Sequence, residues 1–201
     1  VIKKTGWESM EFYREAGTSP LRTVINWVID IIVVVALACF TVYAFGNQVV
    51  VSGNSMTPLL DSDDIVLMNQ LKLVWEKPGR FDVVVFQRED QKKNIKRVIG
   101  LPGETVQIKD GQVWINGEVL QEEKQTMEVD GEMVELEKKI ALAGLAENLI
   151  VLGEDEYFLL GDNRDSSEDS RFANVGNVKE SQIIGKVWFR IYPTLNMGII
   201  R

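Results

Sequence analysis

The chain has 201 residues, 45% of them hydrophobic, enough for one apolar segment and one globular domain with its own core. It holds no histidine and a single cysteine, Cys39, which excludes a Ser-His-Asp triad, a Cys-His dyad, a zinc site built on imidazole, a thiolate metal cluster and an intrachain disulfide. A net charge of −8 argues against nucleic acid as a partner.

Residues 1–22 form a short arm carrying Lys3, Lys4, Arg14 and Arg22, with Gly17, Ser19 and Pro20 marking a loosely ordered lead-in. Residues 23–45, TVINWVIDIIVVVALACFTVYAF, then match the length of about 20 residues that crosses a bilayer. No charge occurs from Ile31 to Phe45, and Trp27 and Tyr43 sit near opposite ends, where interfacial aromatics belong. Asp30 lies about two turns inside the N-terminal end, within reach of headgroups. The run is apolar all round, unlike the one-sided stripe of a core helix. It is too long for a cleaved leader, and no small-residue cleavage site follows Phe45. Cys39 within it reads as a small buried hydrophobe. Four basic residues precede the segment and none follows until Lys72, so the positive-inside bias puts residues 1–22 in the cytoplasm and residues 47–201 outside.

The outer part reads as mostly β. Short β-branched runs recur at Gln48–Val51, Ile65–Met68, Asp82–Phe86, Val98–Gly100, Thr105–Ile108, Val113–Ile115, Tyr157–Leu160 and Ile183–Ile191. Lys109-Asp110-Gly111 and Asn116-Gly117 are hairpin signals. Glu135–Glu147 is the one helix-like segment here, interrupted by Gly144. Residues from about 118 to 156 are rich in glutamate and poor in aromatics, which suggests an inserted, peripheral subdomain. The flanks, 47–117 and 157–201, are expected to build the core. Leu71, Leu73, Val74 and Trp75 suit either that core or an apolar rim facing a bilayer.

Three stretches carry candidate chemistry. In Val51-Ser-Gly-Asn-Ser-Met-Thr-Pro58, Gly53 and Pro58 favour an irregular turn that exposes the Ser55 hydroxyl and frees backbone N–H groups as oxyanion donors; a plain polar turn has the same composition. In Asn94-Ile-Lys-Arg-Val-Ile-Gly-Leu-Pro-Gly-Glu104, strand alternation puts Lys96, Val98 and Gly100 on one face and Arg97 and Ile99 on the other. Lys96 is thus expected to face an apolar interior and Arg97 to point away. A lysine of ordinary pKa, about 10.4, is useless as a base at pH 7, but burial lowers that value, and roughly 7–8 suits a base. The alternative is a snorkelling surface lysine. In Gly161-Asp-Asn-Arg-Asp-Ser-Ser-Glu-Asp-Ser-Arg171, EF-hand spacing fails, because Arg164 and Ser166 fall on ligand positions. A rigid hydrogen-bonded turn with paired Asp and Arg fits better.

Together the three stretches resemble the boxes of the bacterial type I signal peptidases, membrane-bound serine endopeptidases. The resemblance runs over residues 23–116 and 157–191. It implies a signal-peptidase/repressor-type β core with an inserted small subdomain behind one N-terminal transmembrane helix. It also implies Ser55 as nucleophile, Lys96 as general base, Met56 beside the substrate groove and the Ser55 N–H as oxyanion donor. Ser167 matches a serine bonded to the catalytic lysine, Asp169 and Arg171 a salt bridge below the site, and Asp162 the start of the supporting turn. Gly53 stands where some members carry a hydroxyl, Asn94 where an aromatic is common, and Phe81 where a glycine is usual in an Arg-Gly-Asp-Val-Val-Val-Phe box. Phe81 is therefore expected to change a turn but not the chemistry. The endoplasmic-reticulum type has histidine where Lys96 stands. The resemblance implies no cofactor and no metal, secretory preproteins cut after small residues in Ala-x-Ala sites, the lipid bilayer and proximity to the translocon. Two rivals are a catalytically silent membrane scaffold and a self-cleaving repressor-type Ser-Lys protease. The second needs a DNA-binding helical domain, for which residues 1–22 are too few. A sortase-like transpeptidase would need cysteine and histidine in the outer domain.

Overall fold

A computed structural model describes residues 20–45, 47–70, 72–88, 90–122, 125–129, 132–136 and 139–200. Helix α1 (Pro20–Phe45) begins three residues before the predicted segment, with Pro20 at the first helical position, where its missing N–H removes no helical bond. Every side chain from Pro20 to Thr41 is exposed, Trp27, Ile32, Leu37 and Phe40 among them, and the helix is long and apolar enough to cross a membrane. Cys39, expected to be buried, is exposed on this helix, whose all-round apolar surface suits lipid better than a protein core.

The remaining unit is built from strands. In chain order they are β1 (Asn47–Val50), β2 (Ile65–Asn69), β3 (Val83–Gln87), β4 (Lys93–Gly100), β5 (Thr105–Lys109), β6 (Gln112–Ile115) and β7 (Glu118–Val119). Then come β8 (Gln125–Val129), β9 (Glu132–Leu136), β10 (Ile150–Val151), β11 (Glu156–Leu160), β12 (Val178–Lys179), β13 (Ile183–Tyr192) and β14 (Gly198–Ile199). The main sheet runs β1-β2-β13-β3-β4-β11-β12, with β14 also on β13. A second sheet runs β10-β5-β6-β7, and β8 and β9 form a hairpin sheet of their own. Residues 105–109 and 112–115 stand in the second sheet, where Val106, Ile108, Val113 and Ile115 are buried in one apolar cluster with Ile99, Phe158 and Leu160 of the main sheet.

β4 lies between β3 and β11 and is buried from Ile95 to Gly100, five residues longer than the run read from sequence. Ile95 packs with Val51, Met56, Leu60 and Val85, whereas Val98 packs with Val84, Phe86, Tyr157 and Leu159. Both faces of β4 are thus covered. At its end Gly100 lets the second sheet approach: a Cβ there would stand 2.7 Å from Leu152 and Val106. Both hairpin turns take the geometry their residues favour, with positive φ at Asp110 (54°) and Gly111 (74°), and at Asn116 (51°) and Gly117 (83°).

Among the described residues of Glu135–Glu147 the expected helix does not form: Glu135 and Leu136 belong to β9, and Gly144–Glu147 makes a 3₁₀ turn. The Leu145 N–H goes to the Arg171 carbonyl at 2.8 Å instead of to a helical partner, so a tertiary bond overrides local helix propensity. Lys72–Trp75 form one helical turn in which Leu73 packs on the core and Trp75 is 86% exposed; Leu71 lies outside the described residues.

Candidate active site

Ser55 sits in the loop between β1 and β2. Val51 fixes the start of that loop: its N–H donates to the Asp64 carbonyl at 2.8 Å and its carbonyl accepts from Asp63 at 2.9 Å. The Leu60 N–H donates to the Met56 carbonyl at 2.9 Å. Val51, Met56 and Leu60 are buried in one apolar cluster, so the loop is pinned on both sides of the serine. Gly53 turns the chain at a φ of 77°, a conformation that favours glycine. Among the described residues no acceptor is bonded to the Ser55 N–H, which stays available to an incoming oxygen.

Lys96 comes from β4, opposite Val84 on β3. Its side chain is buried, and its Nζ lies 2.7 Å from Ser55 Oγ. Burial lowers the Lys96 pKa to about 8, against the opposing pull of the Asp169 and Glu168 carboxylates; the Arg171 and Arg88 guanidiniums lower it further. A neutral amine at this distance can accept the Ser55 hydroxyl proton.

The turn after β11 holds this pair from below. The Asn163 N–H donates to the Ser55 carbonyl at 3.1 Å, and Asn163 Nδ2 donates to the Asn54 carbonyl at 3.0 Å. Gly161 allows the close approach, because a Cβ there would press on Ser167 and lie 2.5 Å from the Ser55 carbonyl oxygen. Asp169 is fully buried and accepts from Arg171 Nε at 2.8 Å, from Arg171 Nη2 at 2.9 Å and from the Gly161 N–H at 3.1 Å. The sequence-derived salt bridge is therefore in place, with serine Ser170 bonded inward to the Leu159 N–H.

Two expectations change. Ser167 is buried, but its Oγ has no hydrogen-bond partner, so the expected bond to Lys96 is not made; the hydroxyl lies against Gly161 beside the Ser55 backbone. Arg97 does not point away from the protein. It is buried, donating to Asp162 through Nε at 2.8 Å and Nη2 at 2.7 Å, and to the Phe81 carbonyl at 2.7 Å. Alternation put it correctly on the other face of β4, but that face is also covered. Asp162 gives the supporting turn its anchor through this bidentate pair. Phe81 has a φ of 70°, in the left-handed region that favours glycine.

A cleft of about 290 Å³ opens between β1 and the start of β4. Val49, Val51, Ser55, Met56, Asn94 and Ile95 are among its lining residues, so Met56 and the candidate nucleophile border the same cleft.

The family model described as "Signal peptidase, peptidase S26" matches residues 24–192. The chain belongs to this family. It is accordingly a serine endopeptidase, a hydrolase. A signal peptidase I of Bacillus caldolyticus is 36% identical over 175 residues, covering 83% of this chain and 88% of the relative. Signal peptidase IB of Staphylococcus aureus (strain COL) is 33% identical over 187 residues, covering 86% of this chain and 91% of the relative. A crystal structure of a signal peptidase I from Enterococcus faecalis V583 aligns with a TM-score of 0.40 at 33% identity, over 55% of this chain and 97% of that one. In this peptidase Arg97 and Asn163 are the supporting residues that sequence reasoning passed over. The signal for both was the Gly-Asp-Asn turn, whose buried acid needs a cationic partner and whose amide can bond a neighbouring backbone.

Proposed function

We propose that this peptidase removes N-terminal signal peptides from secretory preproteins, with Ser55 as nucleophile and Lys96 as general base. The observation that carries the assignment is the 2.7 Å contact between Lys96 Nζ and Ser55 Oγ, made by a buried lysine. Neutral Lys96 takes the Ser55 proton as Oγ attacks the scissile carbonyl. The Ser55 N–H and water stabilise the oxyanion, since Gly53 supplies no hydroxyl. The lysine ammonium then protonates the leaving amine. Water, deprotonated by the same lysine, frees the enzyme. The substrate lies extended in the cleft between β1 and β4, where Val51, Met56 and Ile95 leave room for small side chains and favour an Ala-x-Ala site. Residues 1–22 lie in the cytoplasm and residues 47–201 outside, as the basic residues before the helix favour, and the family resemblance adds proximity to the translocon.

The test is cleavage of a purified preprotein with an Ala-x-Ala site by the full chain in liposomes, with mass spectrometry locating the new N-terminus. Wild type cuts after the final alanine; Ser55→Ala and Lys96→Ala lower kcat by at least about 10³-fold. Cleavage surviving either substitution overturns the dyad. No cleavage by folded wild type across several preproteins favours a silent scaffold.

A further inference from the structure

The segment 167–171 is buried on both sides of one residue. Ser167, Asp169, Ser170 and Arg171 are nearly inaccessible, whereas the Glu168 side chain between them is 55% exposed. Glu168 is nonetheless held. Arg88 Nη1 donates to its Oε2 at 3.0 Å, and Asn174 Nδ2 donates to its Oε1. The same guanidinium donates from Nη2 to the Asn174 carbonyl at 3.2 Å and stands 3.9 Å from Asp90. Arg88 belongs to the β3–β4 connection, where its N–H donates to the Lys92 carbonyl at 2.9 Å and its carbonyl accepts from Gln91 at 3.0 Å. One arginine thus ties the hairpin that carries Lys96 to the loop that carries Ser167 and Asp169, eighty residues further along the chain.

We propose that Arg88 is a positioning residue for the catalytic lysine, acting through Glu168: it holds the 167–174 loop against the β3–β4 hairpin and neutralises the carboxylate nearest to Asp169 in sequence. The inference rests on the Ser55–Lys96 chemistry proposed above. The groups that act on the Lys96 amine are the carboxylates of Asp169 and Glu168, which favour its charged form, and the guanidiniums of Arg171 and Arg88, which oppose it. Asp169 and Arg171 neutralise each other within the buried turn, and Arg97, on the opposite face of β4, is neutralised by Asp162. Glu168 and Arg88 form the remaining pair, and they are the two partners that come from different elements. Removing Arg88 leaves Glu168 without its counter-ion and takes away a nearby positive charge. Both changes favour the protonated amine. The acid limb of kcat/KM then moves to higher pH, while the rate at alkaline pH, where the lysine is already neutral, stays the same.

The Glu168 end of the pair is solvent-exposed, and such half-exposed ion pairs contribute little to stability, so these variants are expected to fold. The experiment compares wild type, Arg88→Ala, Glu168→Gln and the double variant in the full chain. Two readouts are taken: kcat/KM against pH, and the Lys96 13Cε resonance against pH in lysine-labelled protein. Arg88→Ala is expected to shift both titrations up by about 0.3–0.5 pH units, a loss of roughly two- to threefold at pH 7. Glu168→Gln shifts them down, the double variant lies near wild type, and Arg88→Lys restores most of the effect. The shifts shrink in 1 M salt, where exposed charges are screened. Identical titrations in wild type and Arg88→Ala overturn the inference, as does a loss of rate that is equal at every pH. If wild type cleaves no preprotein, the proposed function fails, and the resonance titration still decides the role of Arg88.

Discussion

Water normally keeps lysine protonated at neutral pH, and at position 96 the protein has taken most of that water away. Lys96 is 3% exposed, and its pKa falls to about 8. In the unfolded chain it returns to about 10.4. Below pH 8 both states hold the proton, and the native state carries a buried charge at a cost. Between the two values the native amine has released a proton that the unfolded chain keeps, so stability rises with pH across that window. Lys96→Met removes the buried charge at similar volume. It is expected to abolish cleavage and to stabilise the fold by about 1–3 kcal/mol at pH 7, with the gain fading toward pH 10. Urea unfolding of both proteins at pH 7 and pH 10 checks this; a less stable variant at pH 7 contradicts it. The candidacy of Lys96 was legible because a serine turn, an apolar-flanked lysine and an acid-rich turn occur in one chain without histidine. The burial of Arg97 was not, because alternation assigns a face without saying whether that face is covered.

At the scale of elements, the turn after β11 does the supporting work. Its Asp162 is the bidentate partner of buried Arg97. Asp162→Ala would leave a guanidinium buried without its counter-ion and is expected to destabilise the protein by about 3–5 kcal/mol, read as a lowered midpoint in urea. A change of less than about 1 kcal/mol would mean that the other partners of Arg97, the Phe81 carbonyl among them, satisfy it. Strand positions were legible where β-branched runs met turn residues, as at Asp110-Gly111 and Asn116-Gly117. The short strands β10, β12 and β14, two residues each, were not, because their existence depends on a neighbouring strand and not on their own composition. Helix propensity misled over residues 135–147, where a ladder with β8 and the bond to Arg171 prevailed.

For the molecule as a whole, Ser55, Lys96 and the 161–171 turn come together because β4 pairs with β11 and the β1–β2 loop reaches over both. Period and composition give the faces of strands but not their order, so the boxes announced the site while the sheet that joins them stayed hidden. The β8–β9 hairpin pairs with no strand of either larger sheet. Replacing residues 125–136 by a short Gly-Ser bridge is therefore expected to leave kcat/KM within about twofold of wild type, since loop tips tolerate such changes. A larger loss in the liposome assay would assign the hairpin a part in substrate handling. The missing histidine has a last consequence. No side chain here has an ordinary pKa between about 5 and 8, the interval that imidazole occupies in most proteins. Mild acid therefore meets no imidazole to charge, and the amine beside Ser55, its pKa lowered to about 8, is a group placed to respond. With Lys96 as the proposed base, acidification is expected to act as a reversible brake, cleavage fading as the amine is protonated and returning when the medium is neutralised.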